Sequence, residues 1–310
     1  MEKVLRKIEK IIPKKIYHFF QPAYHFLLSV MGTFLYRNPS KHIYVIGVTG
    51  TKGKSSTVEF INAVLESAGC KTSVLSTIRF KIGNNSHPNK YKMTMPGRFF
   101  TQKFLFDAVN AGCKYAIIEM TSEGARFFRH TGIEMDVLVF TNLSPEHIES
   151  HGSFEKYKSA KLRLAKQLAK SKKPVRLSIA NIDNEHASSF LIYPIEKNIG
   201  YSLNDLTIIS ETENESVIDY KGNRIKIPLP GKFNISNALA AITLSQELSI
   251  PIETAKKGIE SLSLIRGRVE KVNAGQNFTV VVDYAHTDDS MRKLFETFPS
   301  SRKIVVFGSA

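Results

Sequence analysis

A lysine and two hydroxyls set directly behind a glycine-rich turn are the strongest chemical signal in the chain. The stretch Gly47-Val48-Thr49-Gly50-Thr51-Lys52-Gly53-Lys54-Ser55-Ser56 offers backbone N–H groups, an ammonium and hydroxyls to one small volume. That set suits a triphosphate, because unpaired amides and the positive end of a following helix both attract anions. Gly50, Thr51, Lys52, Gly53, Lys54, Ser55 and Ser56 are therefore the expected ATP contacts. Lys54 would reach the outer phosphates and the Ser55 hydroxyl would ligate Mg²⁺. A strict phosphate-loop pattern asks for glycine at position 48, where this chain has Val48. An ordinary turn capping a helix is the alternative, and Gly-Lys-Ser-Ser between a strand and a helix argues against it.

Carboxylates and histidines supply a second signal. Glu119 closes the apolar run Tyr115 to Met120, and a strand that ends on a buried carboxylate needs a partner for it, such as a divalent cation. Farther on, Glu146, His147, Glu149 and His151 crowd a short polar stretch, which reads either as a metal cluster or as a solvated loop. Lys158 and Lys161 follow on a basic helix from about Ser153 to Lys170.

These groups need a scaffold, and the apolar patterning predicts one. Ile43 to Val48, Tyr115 to Met120 and Asp136 to Thr141 are β-branched or continuous apolar runs, the pattern of strands buried on both faces of a parallel sheet. A helix is expected near Thr57 to Ser67, short strands with Asn and Gly turns from Asn198 to Leu229, a helix running to about Leu248, and a strand at Phe278 to Asp283. The fold class is thus α/β, a P-loop Rossmann-like central domain with a mostly parallel sheet. The expected divisions are a basic N-terminal helical segment over residues 1–40, a central ATP-binding domain over 41–264 and the start of a truncated C-terminal α/β domain over 265–310.

Composition narrows the partners. The 310 residues carry a net charge of +15, 42% hydrophobic residues and two cysteines, Cys70 and Cys113. The cysteine spacing fits neither zinc nor a redox pair, so a reducing cytoplasm is expected. No zinc-finger spacing, aromatic RNA-binding motif or basic zipper accompanies the charge, so nucleic acid is not an expected partner. From Met1 to Lys15, Val4, Leu5, Ile8, Ile11 and Ile12 share one helical face and Lys3, Arg6, Lys7 and Lys10 the other; Ile16 to Tyr36 follows with no charged residue. Residues 1–36 could lie at the inner membrane face, pack on the main domain, or span a bilayer. No cleavage site marks a signal peptide.

The ordered motifs together resemble the Mur ligase family, whose nucleotide loop is shared with folylpolyglutamate synthetases and usually has Asn where this chain has Lys52. Thr141-Asn142-Leu143, Glu146-His147-Ile148-Glu149 and His151-Gly152 look like the family's Thr-Asn-Leu, Asp-His-Leu-Asp and His-Gly. The resemblance implies that His147 contacts a divalent ion beside Glu119, and that Lys161, in Tyr157-Lys158-Ser159-Ala160-Lys161, is carbamylated and joins Ser55, Glu119 and His147 around Mg²⁺. It implies that Asn237, in Gly231-Lys232-Phe233-Asn234-Ile235-Ser236-Asn237-Ala238, lies by the adenine, Arg268 near the phosphates and Asp283 by the ribose. Asn234 could equally cap its helix. Thr94, Thr121 and Arg129 match positions that touch the muramoyl peptide, while Met95 and Phe127 depart from the pattern.

Asp283-Tyr284-Ala285-His286-Thr287 is closest to the branch that adds the third amino acid of the wall peptide. The implied activity is ATP-dependent amide-bond formation between a nucleotide-linked muramoyl peptide and an amino acid. It would pass through an acyl phosphate, with ATP and Mg²⁺ as cofactors and the chain acting as a monomer. Lys54, Glu119, His147 and Lys161 would carry the catalysis. A folylpolyglutamate-type or other Mur-related ligase, or a non-catalytic ATP-binding fragment, are the competing readings.

Overall fold

The computed structural model describes residues 14–91, 93–97, 99–146, 148–299 and 302–308. Residues 1–13 of the helical reading of Met1 to Lys15, like the metal-ligand reading of His147, lie outside the described residues.

An eight-stranded sheet in the order β4-β3-β2-β5-β1-β6-β7-β8 organises the chain. Its strands are β1 (Tyr44–Thr49), β2 (Thr72–Leu75), β3 (Arg79–Ile82), β4 (Asn85–Pro88), β5 (Tyr115–Glu119), β6 (Val137–Phe140), β7 (Leu177–Asn181) and β8 (Lys197–Tyr201). The run from β2 to β8 across the sheet is parallel, and β3 and β4 close one edge as an antiparallel hairpin. Strand β1 shows why the sequence reads as continuous apolar: Ile46 and Val48 face one core and Val45 the other, as the two-residue period of a strand covered on both faces requires.

Helix α1 (Lys14–Leu35) precedes the sheet. The first core is filled by α2 (Lys54–Ser67) and, later in the chain, by α8 (Lys232–Glu247) and α9 (Ile252–Ser261). The opposite core is filled by α3 (Phe100–Asn110), α4 (Ser122–Arg126), α6 (Phe154–Lys170) and α7 (Ser188–Leu191), with the short α5 (Ile148–His151) leading into α6. Strands β9 (Thr207–Glu211), β10 (Ser216–Tyr220) and β11 (Asn223–Ile227) form a small antiparallel sheet whose Ile218, Ile225 and Ile227 extend the first core. The chain continues through the two-stranded β12 (Glu270–Val272) and β13 (Val280–Val282) to α10 (Asp288–Glu296).

Some boundaries differ from the sequence reading. Helix α2 starts at Lys54 rather than Thr57, since the glycine turn passes directly into the first helical turn, where Thr57 N donates to Gly53 O at 2.8 Å. Strand β13 covers only part of Phe278 to Asp283, because its partner β12 is three residues long. The chain leaves β1 toward β2 on one side and returns to β6 on the other, so the carboxyl end of β1 is a topological switch point. Crevices at such points are where open α/β sheets take ligands.

Candidate active site

The turn after β1 is clamped from β6. Thr51 N donates to Asn142 O at 2.8 Å, Lys52 N to Asn142 Oδ1 at 2.9 Å, and Thr141 Oγ1 to Lys52 O at 2.7 Å. This grip requires glycine at position 50: a Cβ there would sit 2.0 Å from Thr141 Oγ1 and 3.1 Å from the Asn142 amide nitrogen. Gly53 is needed for a different reason. It caps α2 at φ 79°, and a Cβ would lie 2.3 Å from Asn237 Oδ1. Asn237, on α8, also accepts from Thr57 Oγ1 at 3.2 Å, so the loop and α8 are in direct contact.

Next to the loop, the carboxyl ends of β5 and β2 meet. Ser55 Oγ donates to Glu119 Oε2 at 3.0 Å; Thr77 N donates to the same oxygen at 2.8 Å, and Thr77 Oγ1 to Oε1 at 3.0 Å. These bonds satisfy a carboxylate that is buried. Lys54 Nζ donates to Thr51 O at 2.8 Å, and burial lowers its pKa against the pull of Glu119 and Glu146. Arg268 Nη2 donates to Ser55 Oγ at 3.3 Å, with its guanidinium 4.8 Å over the Tyr284 ring. Asp283 accepts from Val269 N and Ala285 N, each at 2.7 Å, and so ties β13 to the Arg268 turn.

Lys161 lies behind this layer. It is 1% exposed, and its Nζ donates to Gly50 O at 2.6 Å, beneath the loop. Burial pushes its pKa well below the ordinary lysine range, and the Lys54 charge pushes the same way. A buried amine of lowered basicity is what carbamylation would need. In this geometry the amine props the loop from below.

The residues expected on the acceptor side occupy the other end. Thr94 Oγ1 is 2.7 Å from Thr77 Oγ1, so one hydroxyl pair joins it to Glu119. Thr121 Oγ1 accepts from Gly124 N at 3.0 Å and caps α4. Arg129 Nη1 donates to Met95 O at 2.6 Å, its guanidinium lies 5.5 Å over the Phe127 ring, and among the described residues its buried Nε meets no acceptor. A cleft of about 1070 Å³ contains both ends, lined by Thr51 to Ser56, Thr94, Glu119, Thr121, Arg129, Asn237, Arg268 and Asp283. Of the described residues expected to touch ATP, metal or acceptor, Gly50 and Lys161 do not line it.

Thr77 was not among the sequence-derived candidates, although Ser76-Thr77 follows β2 at the same sheet edge as Glu119. Lys52 was read as a phosphate contact. Its Nζ donates to Glu146 Oε1 at 2.8 Å and to Thr287 Oγ1, the cap of α10, at 2.6 Å. Hard oxygen donors at Ser55 and Glu119 suit Mg²⁺, which takes one or two protein ligands and completes its shell with water and phosphate. Among the described residues no group of three or more His, Cys, Asp or Glu side chains forms a metal cluster.

A parallel α/β sheet with a glycine-rich loop at its switch point, facing a strand-end carboxylate, defines the P-loop class. The chain belongs to the Mur ligase family: the Mur ligase middle domain matches residues 48–245, and the Mur ligase glutamate ligase domain matches residues 267–310. It is 34% identical over 305 residues to a UDP-N-acetylmuramyl-tripeptide synthetase of Roseiflexus sp. (strain RS-1), covering 91% of this chain and 60% of that protein. It is 32% identical over 294 residues to a UDP-N-acetylmuramoyl-L-alanyl-D-glutamate–2,6-diaminopimelate ligase of Caldanaerobacter subterraneus, covering 91% of this chain and 59% of the relative. The chain thus spans about 60% of the length of these curated relatives.

Among solved structures, a UDP-N-acetylmuramoyl-L-alanyl-D-glutamate–2,6-diaminopimelate ligase superposes with TM-score 0.70 at 25% identity, covering 88% of this chain and 58% of that one. Mycobacterium tuberculosis folylpolyglutamate synthase, solved with ADP and AMPPCP, gives TM-score 0.70 at 15% identity over 89% of this chain and 70% of that one, a likeness of fold.

Proposed function

We propose that the chain carries an ATP-dependent acid–amino acid ligase activity of peptidoglycan precursor synthesis, adding the third amino acid to a nucleotide-linked muramoyl dipeptide in the cytoplasm. The observation that carries this reading is the Ser55–Glu119–Thr77–Thr94 chain of hydrogen bonds, which joins the phosphate loop to the acceptor end of one cleft. The names of the similar relatives favour a muramoyl peptide over a folate as acceptor.

In this reading the loop amides and Lys54 bind the β- and γ-phosphates of ATP, Asn237 meets the adenine and Asp283 the ribose. Ser55 and Glu119, with His147 and with Lys161 once carbamylation releases its Nζ from Gly50 O, would hold Mg²⁺, which neutralises phosphate charge when bound. Arg129 receives the acceptor's carboxylate with its unmatched Nε, a task suited to a guanidinium fork. Thr94 and Thr121 position the peptide beside it. The γ-phosphoryl group passes from ATP to the acceptor carboxylate, giving an acyl phosphate and ADP; the amino group of the incoming amino acid attacks the acyl carbon, expelling phosphate and losing a proton as the amide forms. Positioning and charge neutralisation by Lys54 and Arg268 supply the rate.

The test measures phosphate release from ATP in the presence of the muramoyl dipeptide and an amino-acid panel. Release that needs both acceptor and amine, and disappears in Lys54→Ala, supports the proposal. Acceptor-independent turnover, or unchanged ligation by Lys54→Ala, contradicts it.

A further inference from the structure

Helix α1 is built inside out. A surface helix ordinarily turns its apolar stripe to the core and its polar face to water. Here the face against the domain carries Ser29 and Thr33 beside Leu28, all buried, and the two hydroxyls are satisfied within the helix, donating to His25 O at 2.9 Å and Ser29 O at 2.8 Å. Gly32 on that face lets the helix come close to Phe99, whose Cδ1 would be 3.0 Å from an added Cβ. Leu27, Met31, Phe34 and Leu35 recur at helical spacing on the outer side and are exposed by 58%, 57%, 72% and 63%. A contiguous stripe of large exposed apolar side chains marks a surface that something covers.

Charge says what covers it. Lys14–Leu35 contains no Asp or Glu. Exposed Arg37 and Lys41 follow its end. Exposed Arg163 stacks 5.3 Å over the Phe128 ring, which meets Phe26 of α1 at 5.7 Å. In the sequence, Lys3, Arg6, Lys7, Lys10, Lys14 and Lys15 precede the stripe against only Glu2 and Glu9. Apolar side chains fringed by cations complement a bilayer of anionic lipid. A second copy of the chain would oppose the same fringe with its own positive charge. Among the described residues no helix is long and apolar enough to cross a membrane.

We propose that the outer face of α1 is a lipid-docking surface that lies in the plane of an anionic membrane, with Leu27, Met31, Phe34 and Leu35 inserted among the acyl chains. The helix rests on the segment that carries Arg129, through His25 on Phe127 at 5.1 Å and Thr33 against Gly132. Docking therefore brings the Arg129 end of the cleft close to the bilayer.

The test is flotation of the full chain with vesicles of phosphatidylglycerol and phosphatidylcholine, against phosphatidylcholine alone, at low and high salt. The account expects flotation with the anionic vesicles, weakened by salt, and a fall of at least about tenfold for each large anchor lost in Leu27→Ser, Met31→Ser and Phe34→Ser. These side chains are exposed, so the variants should keep the wild-type thermal unfolding profile, and Leu28→Ser, on the packed face, serves as the contrasting variant that loses stability. Absent flotation with anionic vesicles, equal flotation with neutral ones, or undiminished flotation of a variant carrying Leu27→Ser, Met31→Ser and Phe34→Ser together each overturns the proposal. So does a wild-type dimer that ignores vesicles and becomes monomeric on the same substitutions. Flotation needs neither ATP nor acceptor, so its failure would leave the ligase proposal standing.

Discussion

Two walls of the cleft are held in opposite ways. The loop end is woven into the sheet: Thr141 and Asn142 of the β6 end, Glu119 of β5 and Lys161 of α6 all bond the loop or its flanking helix from below. The residues after 264 reach the same cleft through a few polar contacts, mainly Arg268 on Ser55 and Thr287 on Lys52, and α10 contributes no fully buried residue. A phosphate site profits from rigidity, because donors fixed before binding need no reorganisation at the moment of reaction. A wall attached by a few part-buried polar bonds can shift at modest cost.

Four perturbations probe these two walls and the Arg129 end of the cleft. Glu119→Ala strands Ser55 Oγ and the Thr77 amide, and phosphate release should fall by about 10²–10³-fold; a loss below tenfold would remove Glu119 from the centre of the site. Acid should act beside Arg129. His130 is buried, and burial, with Arg163 in support, lowers its pKa from 6.5 to about 4. The folded state therefore keeps it neutral while the unfolded chain takes up a proton below 6.5. Stability is complete above that pH and declines as the pH falls toward 4, by about 3 kcal/mol at the limit. Urea unfolding of the wild type and His130→Leu between pH 7 and 4 checks this: the variant should show a shallower acid slope.

Gly53→Ala forces a Cβ onto Asn237 and a side chain into a left-handed conformation, for a cost of about 1–3 kcal/mol by thermal unfolding. Adding Asn237→Ala should return the steric part and leave the backbone part. Lys52→Ala, finally, removes the bonds to Thr287 and Glu146 at a cost of about 1 kcal/mol. Its signature is faster proteolysis within 285–299 with the loop end unchanged; equal protection in both proteins would show that Lys52 does not hold that wall.

Local chemistry made the loop end legible in the sequence. Gly50 to Ser56, the strand before them and Glu119 at the end of another strand carry their meaning in adjacent residues. The sheet was readable because strands covered on both faces must be apolar throughout, as Val45 to Val48 are. What escaped were contacts between distant positions. Thr77 grips Glu119 across 42 residues and Lys52 reaches Thr287 across 235, and nothing in the neighbourhood of either announces the partner. The place of Lys161 under the loop rather than in the cleft depends on how α6 packs, which periodicity does not specify. The N-terminal helix left open whether its apolar side would face the protein, a bilayer's surface or its interior; the packing of Ser29 and Thr33 inward decides which side is outward.

The central claim is that Ser55 and Glu119 form one metal-dependent triphosphate site. Calorimetric titration with a non-hydrolysable ATP analogue, with and without Mg²⁺, addresses it without requiring turnover. The account predicts association that Mg²⁺ strengthens in the wild type, with the Mg²⁺-dependent part lost in Glu119→Ala and nearly all binding lost in Lys54→Ala. Absence of binding heat in the wild type, or an Mg²⁺ effect that survives Glu119→Ala, would contradict it.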